Sequence, residues 1–430
     1  MIRTSFIHIW GNLVGAVAWD ENTGIASFEY DTKFTTKKFD LSPIKMPVSS
    51  GNRIFNFPEL RVSKAYSGLP GLLADSLPDN YGNHLIDSWL ADQGRPMGAM
   101  NPVEKLCFIG TRGMGALEFR PAQFKKAKYT FSVEVESLVN LSKKILHQRE
   151  NLHANLEDSE KNAMKDILKI GTSAGGMRAK AIIAFNEKTG EIRSGQTRTP
   201  KGFSQWLIKL DGVNDAELGD PKGYGRIEMA YHLMAKDCEI NMTECRLLEK
   251  NDRAHFMTKR FDREGSETKH HIQTFCAMQH FDYNEVNSYS YEQLFQTLRI
   301  LRLPYPQAEQ LYRRMVFNIL ANNCDDHTKN FAFRLKEDGI WELAPAYDVS
   351  YSYDPNSEWV SQHVLSVNGK RKNISKDDLL NIAKSMNIKK ARQIISQVSE
   401  VVQKWPDFAD ITKVAAIKRD AIHSTLISTT

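Results

Sequence analysis

The 430-residue sequence predicts an α+β chain made of a β-rich module, a mixed α/β lobe and an all-α lobe. Three observations carry this expectation. Short alternating apolar runs broken by turn residues fill residues 1–130. Strand patterns return between Ile167 and Asp262. From about Glu267 onward, apolar residues recur at helical spacing. The expected units are therefore 1–130, 131–266 and 267–430.

The elements follow in order. Val14-Gly15-Ala16-Val17-Ala18-Trp19 is a strand pattern, and Asn22-Thr23-Gly24 is a turn signal. Leu138, Leu141 and Ile145 keep helical spacing, and a highly charged stretch from His147 to Lys161 reads as a domain connection. Ala181–Phe185 and Gln205–Leu210 are strand candidates, with a turn at Asn186–Gly190 after the first. Leu311, Met315, Val316, Ile319 and Leu320 share one helical face, and Lys376–Leu426 is helical in pattern.

Composition excludes several classes. Hydrophobic residues make up 41% and charged residues 25%, which suits a globular chain rather than a disordered or fibrous one. No run of about 18 apolar residues exists, so no spanning helix and no membrane partner is expected. The first residues lack a secretory pattern, and a cytoplasmic location is expected. The cysteines at 107, 238, 245, 276 and 324 form no C-x-x-C pair, which argues against zinc or disulfide exchange. A net charge of +5 is too small to argue for nucleic-acid binding.

One short run carries chemistry. In Asp325-Asp326-His327-Thr328-Lys329-Asn330, the first Asp and the Asn have the spacing of a kinase catalytic loop. There the Asp takes or positions the substrate hydroxyl proton, and the Asn holds a magnesium ion. Phe331, Phe333 and Leu335 then alternate, Lys336–Gly339 makes a turn, and Ile340–Leu343 returns. Such a hairpin brings Asp348 beside Asn330, and two hard oxygen ligands that leave room for water and phosphate suit Mg²⁺. Upstream, Lys209 ends a strand pattern and Glu228 opens an amphipathic helix, the usual pair that clamps nucleotide phosphates. Gly171–Lys180 contains Gly175 and Gly176, whose backbone can approach phosphate closely. The order glycine loop, Lys, Glu, Asp/Asn, Asp is that of a protein-kinase-like two-lobe fold with ATP and Mg²⁺.

Each piece also has an ordinary explanation. Asp325 and Asp326 suit a polar turn. Lys209 suits a solvent-facing strand position, and Gly175-Gly176 suits a plain loop. For Glu228 the preferred explanation is an exposed first-turn acid favoured by the helix dipole. His327 is preferred as a structural hydrogen-bonding residue, and Gly110–Gly115 as a tight turn.

The residues resemble the HipA family, kinase toxins of bacterial toxin–antitoxin pairs, nearly end to end. The resemblance lies in Leu72–Asn80, Gly115–Phe119, Lys259–Arg263, Asp325–Asn330 and Tyr347–Ser350. It implies Asp325 as the catalytic base, and Asn330 and Asp348 as the Mg²⁺ ligands. It implies that Gly175, Gly176, Met177, Arg178, Ala179 and Lys180 cover the ATP phosphates, and that Lys209 contacts them. The backbone of Lys259, Arg260 and Phe261 would meet the adenine, and His327, Lys329 and Tyr347 complete the ATP-contacting set. Ser173, seven residues before Lys180, matches a loop serine that family members autophosphorylate, with Thr172 beside it as an alternative. The loop departs from the family's Gly-x-Gln-x-Lys, reading Gly176-Met177-Arg178-Ala179-Lys180.

The resemblance also implies a serine/threonine protein kinase that phosphorylates an aminoacyl-tRNA synthetase. It further implies a small helix-turn-helix, HipB-like antitoxin as partner, with DNA reached mainly through it. Two alternatives stand beside it. A small-molecule kinase of the aminoglycoside or choline type shares the Asp-x-x-x-x-Asn loop, but commonly has His where this chain has Asn323. A non-catalytic co-repressor bound to an antitoxin would need none of the ATP chemistry.

Overall fold

The computed structural model describes residues 2–37, 39–122, 132–147, 179–195, 199–213, 223–265 and 267–427. The first unit is an antiparallel sheet. It comprises β1 (Thr4–Ile9), β2 (Asn12–Asp20), β3 (Ile25–Tyr30), β4 (Ile54–Phe55) and β5 (Glu118–Arg120), in the order β4-β3-β2-β1-β5. Trp10 and Gly11 both have positive φ, 47° and 76°, so a two-residue turn whose twist matches the strands joins β1 to β2. The expected strand at Val14–Trp19 lies within β2.

This unit is not purely β. It carries α1 (Gly71–Ala74), α2 (Asn80–Asp92) and α3 (Pro102–Ile109). Leu72 and Leu73 of α1 and Val103 and Leu106 of α3 pack under the first sheet. Helix α2 does something else: Tyr81, Leu85, Ile86 and Leu90 pack against Ile183, Trp206 and Ile208 of the second sheet. Hydrophobic packing thus runs across residue 130.

The second sheet has β6 (Lys180–Phe185), β7 (Ile192–Ser194), β8 (Ser204–Lys209), β9 (Cys245–Lys250) and β10 (Arg253–Lys259), in the order β7-β6-β8-β10-β9. Strands β6 and β8 are the two expected from their apolar runs. Helix α4 (Val135–His147) covers one face through Leu138 and Val139. Helix α5 (Tyr224–Asp237) lies toward the next lobe, burying Ile227, Tyr231 and Met234 with Cys238 as its spacing predicts. A small hairpin, β11 (Arg263–Glu264) and β12 (Thr268–Lys269), ends this lobe.

The last lobe is built on α6 (Phe275–Gln279), α7 (Tyr291–Ile300), α8 (Tyr305–Leu320), α9 (Lys376–Met386), α10 (Ala391–Gln403), α11 (Trp405–Ile411) and α12 (Ala416–His423). Leu311, Met315, Val316, Ile319 and Leu320 of α8 are all buried in its core. The lobe also holds a three-stranded sheet: β13 (His271–Thr274), β14 (Ala332–Leu335) and β15 (Trp341–Leu343). The expected hairpin is the β14–β15 pair, with Phe333 opposite Leu343 and Leu335 opposite Trp341. Strand β13 adds to its outer edge, a pairing across about 60 residues that local pattern does not reveal. Among the described residues no helix is long and apolar enough to cross a membrane. All five cysteines are buried and unbridged.

Candidate active site

The site begins where α8 stops. Asn322 takes a left-handed conformation (φ 49°) and turns the chain into the Asp325–Asn330 loop. The loop is closed on itself: the Asn330 side-chain amide donates to the Asp325 carbonyl at 2.7 Å. His327 Nδ1 accepts from the Lys329 N–H at 3.2 Å and starts a 3-10 turn over Thr328–Asn330. His327 therefore has the structural hydrogen bond expected of it.

The two adjacent aspartates do opposite jobs. Asp326 is buried and accepts from the Tyr291 hydroxyl at 2.8 Å, the His363 Nδ1 at 3.1 Å and the Val364 N–H at 2.8 Å. Its oxygens are consumed in holding the loop to α7 and to the chain around residue 364. Asp325 keeps 37% of its side chain exposed, and its Oδ1 accepts from the Trp359 indole N–H at 2.6 Å. Burial raises its pKa above the ordinary value, against the lowering influence of His327 and Trp359.

Beyond the hairpin, Asp348 sits at φ 53°, a left-handed conformation that is uncommon for aspartate and clusters at functional sites. Asp348 and Asn330 line one pocket with Tyr347, Phe331 and Asp326. The Asp348 carboxylate accepts from Lys209 Nζ at 2.5 Å. Burial alone would raise its pKa, but Lys209, with Lys180 and His327, holds it well below the usual carboxylate range.

Lys209 has a second partner. Its ammonium also pairs with Glu228 of α5, which is 1% exposed. The preference for an exposed, dipole-favoured Glu228 is thus overturned. Helix α5 starts at Tyr224, so Glu228 lies beyond the first turn, and packing turns it inward beside Ile227 and Tyr231. Lys180 lies directly opposite Lys209 on β6, yet its ammonium is buried against Asp79 at 2.8 Å.

The segment after β10 supplies a further wall. The Lys259 and Arg260 N–H groups donate to the carbonyls of Glu244 and Gln205, at 2.8 and 2.9 Å. The Lys259 and Phe261 carbonyls accept from Thr243 and Arg334, both at 2.9 Å. The Arg260 carbonyl and the Phe261 N–H make no hydrogen bond with the described residues. The Arg260 guanidinium is turned away into buried Asp262, at 2.6 and 2.9 Å. Asp262 also accepts from the Gly115 N–H at 2.7 Å, so the Gly110–Gly115 turn docks on this segment. Burial would raise the Asp262 pKa, but Arg260 and Arg263 hold it far down.

Phe261 and Tyr347 face each other with ring centroids 5.5 Å apart, and the Tyr347 hydroxyl donates to the Lys329 carbonyl at 2.6 Å. The Lys329 ammonium lies 4.5 Å from the Tyr283 ring centroid. Ala179 is buried in the second sheet's core. Gly175, Gly176, Met177, Arg178 and Ser173 lie outside the described residues.

The donor set suits a hard, hydrated cation. Asp348 is held ionised, and Asn330 spends its amide N–H on Asp325 while its carbonyl oxygen accepts nothing from the described residues. No cluster of three or more His, Cys, Asp or Glu exists among the described residues to build an all-protein cage. Two oxygen ligands with space beside them fit Mg²⁺ shared with phosphates.

Sequence reasoning missed two acids, Asp75 and Asp79, and Trp359. Asp75 accepts from the Thr274 N–H and hydroxyl at 2.6 and 2.8 Å. The partners of the two acids lie about 100 to 200 residues away, so no local signal exists, and only their place in the family-like Leu72–Asn80 stretch marks them; Trp359 reaches back to Asp325.

Comparison with known proteins agrees with this architecture. No curated protein matches the sequence. One solved structure, the HipA–HipB toxin–antitoxin system of Shewanella oneidensis MR-1 with its operator DNA, has a chain that superimposes with a TM-score of 0.67. The match has 17% identity and covers 98% of this chain and 94% of that one. The proinflammatory kinase CtkA of Helicobacter pylori matches at TM-score 0.31 and 15% identity, over 51% of this chain and 90% of that one. A HipA N-terminal domain matches residues 6–120, and a HipA-like C-terminal domain matches residues 172–405. With both domains present in that order over most of its length, the chain belongs to the HipA family.

Proposed function

We propose that this protein transfers the γ-phosphoryl group of ATP to a serine or threonine hydroxyl on a protein, as the toxin of a toxin–antitoxin pair. One observation carries the reading: Lys209 pairs at once with Glu228 of α5 and with Asp348 beside Asn330. That arrangement fixes a cation where phosphates need one and joins the two lobes across the site. When bound, Mg²⁺ would supply charge neutralisation at the phosphates, held by Asp348 and Asn330. The chain's own groups do the rest. Asp325 accepts or orients the hydroxyl proton. Lys209 neutralises phosphate charge, and Phe261 and Tyr347 offer faces to the base. The Arg260 carbonyl and Phe261 N–H, which have no hydrogen-bond partner among the described residues, form an acceptor and donor edge suited to adenine.

The finer parts of the reading rest on family membership. They are an aminoacyl-tRNA synthetase as substrate, a HipB-like helix-turn-helix antitoxin that brings the protein to DNA, a cytoplasmic location and self-modification at Ser173. Phosphate on Ser173 adds about −1.5 to −2 charges to a phosphate-covering loop and opposes ATP binding.

Incubation with Mg-ATP followed by intact-mass measurement tests the activity. The wild type is expected to gain one phosphate and Ser173→Ala none. A wild type that neither binds Mg-ATP nor modifies any protein sinks the reading. Glu228→Gln is expected to weaken ATP binding about tenfold, equivalent to ~1.4 kcal/mol, because Lys209 loses its buried counter-charge. Calorimetric titration with a non-hydrolysable ATP analogue measures this, and unchanged affinity removes Glu228 from the clamp.

A further inference from the structure

Two lysines stand side by side on the face of the second sheet that meets Asp348. Lys180 and Lys209 are directly opposed across β6 and β8, and opposed residues of an antiparallel pair project to the same face. Lys209 is compensated from within its own lobes, by Glu228 and Asp348. Lys180 is compensated from outside them. Its ammonium, 2% exposed, meets Asp79 Oδ2 at 2.8 Å, and Asp79 belongs to the stretch that enters α2. The other oxygen, Asp79 Oδ1, caps α2 by accepting from the Gly82 N–H at 2.7 Å. One carboxylate therefore does two separable things, capping a helix of the N-terminal domain and holding a lysine of the C-terminal domain.

Lys180 is a buried ammonium beside the like charge of Lys209, and Asp79 supplies counter-charge to it. Burial, the largest influence, lowers the Lys180 pKa below its ordinary value and Lys209 adds to this, while Asp79 and Asp348 oppose the shift. The same stretch anchors itself next door, where Asp75 binds the Thr274 N–H and hydroxyl.

We propose that Asp79 is a positioning residue of the nucleotide site: it holds Lys180 in place toward the phosphates, so that the N-terminal domain completes the site of the C-terminal domain. This rests on the phosphoryl-transfer reading of the Lys209–Asp348 centre. Asp79 acts through Lys180 and touches no reacting atom.

The test separates the two jobs of Asp79. Asn caps a helix as well as Asp does, so Asp79→Asn keeps the cap and removes the charge. It is expected to raise KM for ATP about tenfold, with kcat at saturating ATP within about threefold of the wild type. Lys180→Met is expected to raise KM by a similar factor, and the double variant no further, because the two residues act as one unit. Additive effects of the two changes overturn the proposal, as does an unchanged KM in Asp79→Asn. Should Asp79→Asn fail to fold, Lys180→Met compared with the double variant, in which neither charge is left alone, asks the same question: equal KM supports the proposal and unequal KM overturns it. A wild type without Mg-ATP activity defeats the phosphoryl-transfer reading itself, whereas an active wild type with additive variants defeats only the role of Asp79.

Discussion

Replacing Asp325 with Asn is expected to lower phosphoryl transfer by about 10²–10⁴-fold, the usual contribution of a positioned general base. The substitution is nearly isosteric, and an amide oxygen still accepts from the Trp359 indole, so the loop keeps its shape. The Asn330 amide bonds to the main-chain carbonyl of residue 325, which the substitution leaves untouched. Binding of Mg-ATP should therefore stay within about threefold of the wild type, since the groups proposed to meet the phosphates are Lys180, Lys209, Asn330 and Asp348. Single-turnover phosphate transfer and analogue titration, measured in parallel, check the two halves. A variant that transfers phosphate as fast as the wild type shows that Asp325 is not the base. Burial raises the Asp325 pKa, and a base must be deprotonated to act. The rate should therefore begin to fall, as pH is lowered, above the pH at which an ordinary aspartate would be protonated.

The geometry of the candidate site was legible where it is local. The five-residue spacing from Asp325 to Asn330 is enforced by one side-chain hydrogen bond, so the pattern in sequence is the pattern in space. The β14–β15 hairpin delivers Asp348 to Asn330 as its alternation and turn predict. The five-residue spacing to Asn330 singled out Asp325, but local pattern could not say what the adjacent Asp326 does. That depends on Tyr291, His363 and Val364, which surround Asp326 from both sides in sequence. Nor could it see Lys180 paired with a residue 101 positions earlier, or Trp359 reaching back to Asp325. Glu228 is the instructive miss. The buried face of its helix was read correctly, but the helix starts at Tyr224 rather than at Glu228, and the inward orientation that makes Glu228 a partner of Lys209 is set by how α5 packs.

Asp326→Ala is expected to be the most destabilising single change in the loop, at about 3–5 kcal/mol, because it removes one partner of a buried ion pair. The loss is compound. The variant strands the His363 imidazolium, the Tyr291 hydroxyl and the Val364 N–H in a site without water-facing surface. Burial alone would lower the His363 pKa, but Asp326, aided by Cys324, raises it to about 10. The sign of the pH dependence follows. A folded-state pKa above the unfolded value of about 6.5 gives stability that is complete below about pH 6.5 and is lost as pH rises through about 10. The difference in thermal midpoint between the wild type and Asp326→Ala should thus be several degrees at pH 6 and should shrink at pH 10. Comparing the two proteins at each pH cancels every titration they share. Equal midpoints at pH 6 would show that the pair holds nothing, while a difference independent of pH would assign the stabilisation to the neutral hydrogen bonds from Tyr291 and Val364. Asp325 projects from the same short turn, so a loop released at residue 326 also releases the proposed base beside it.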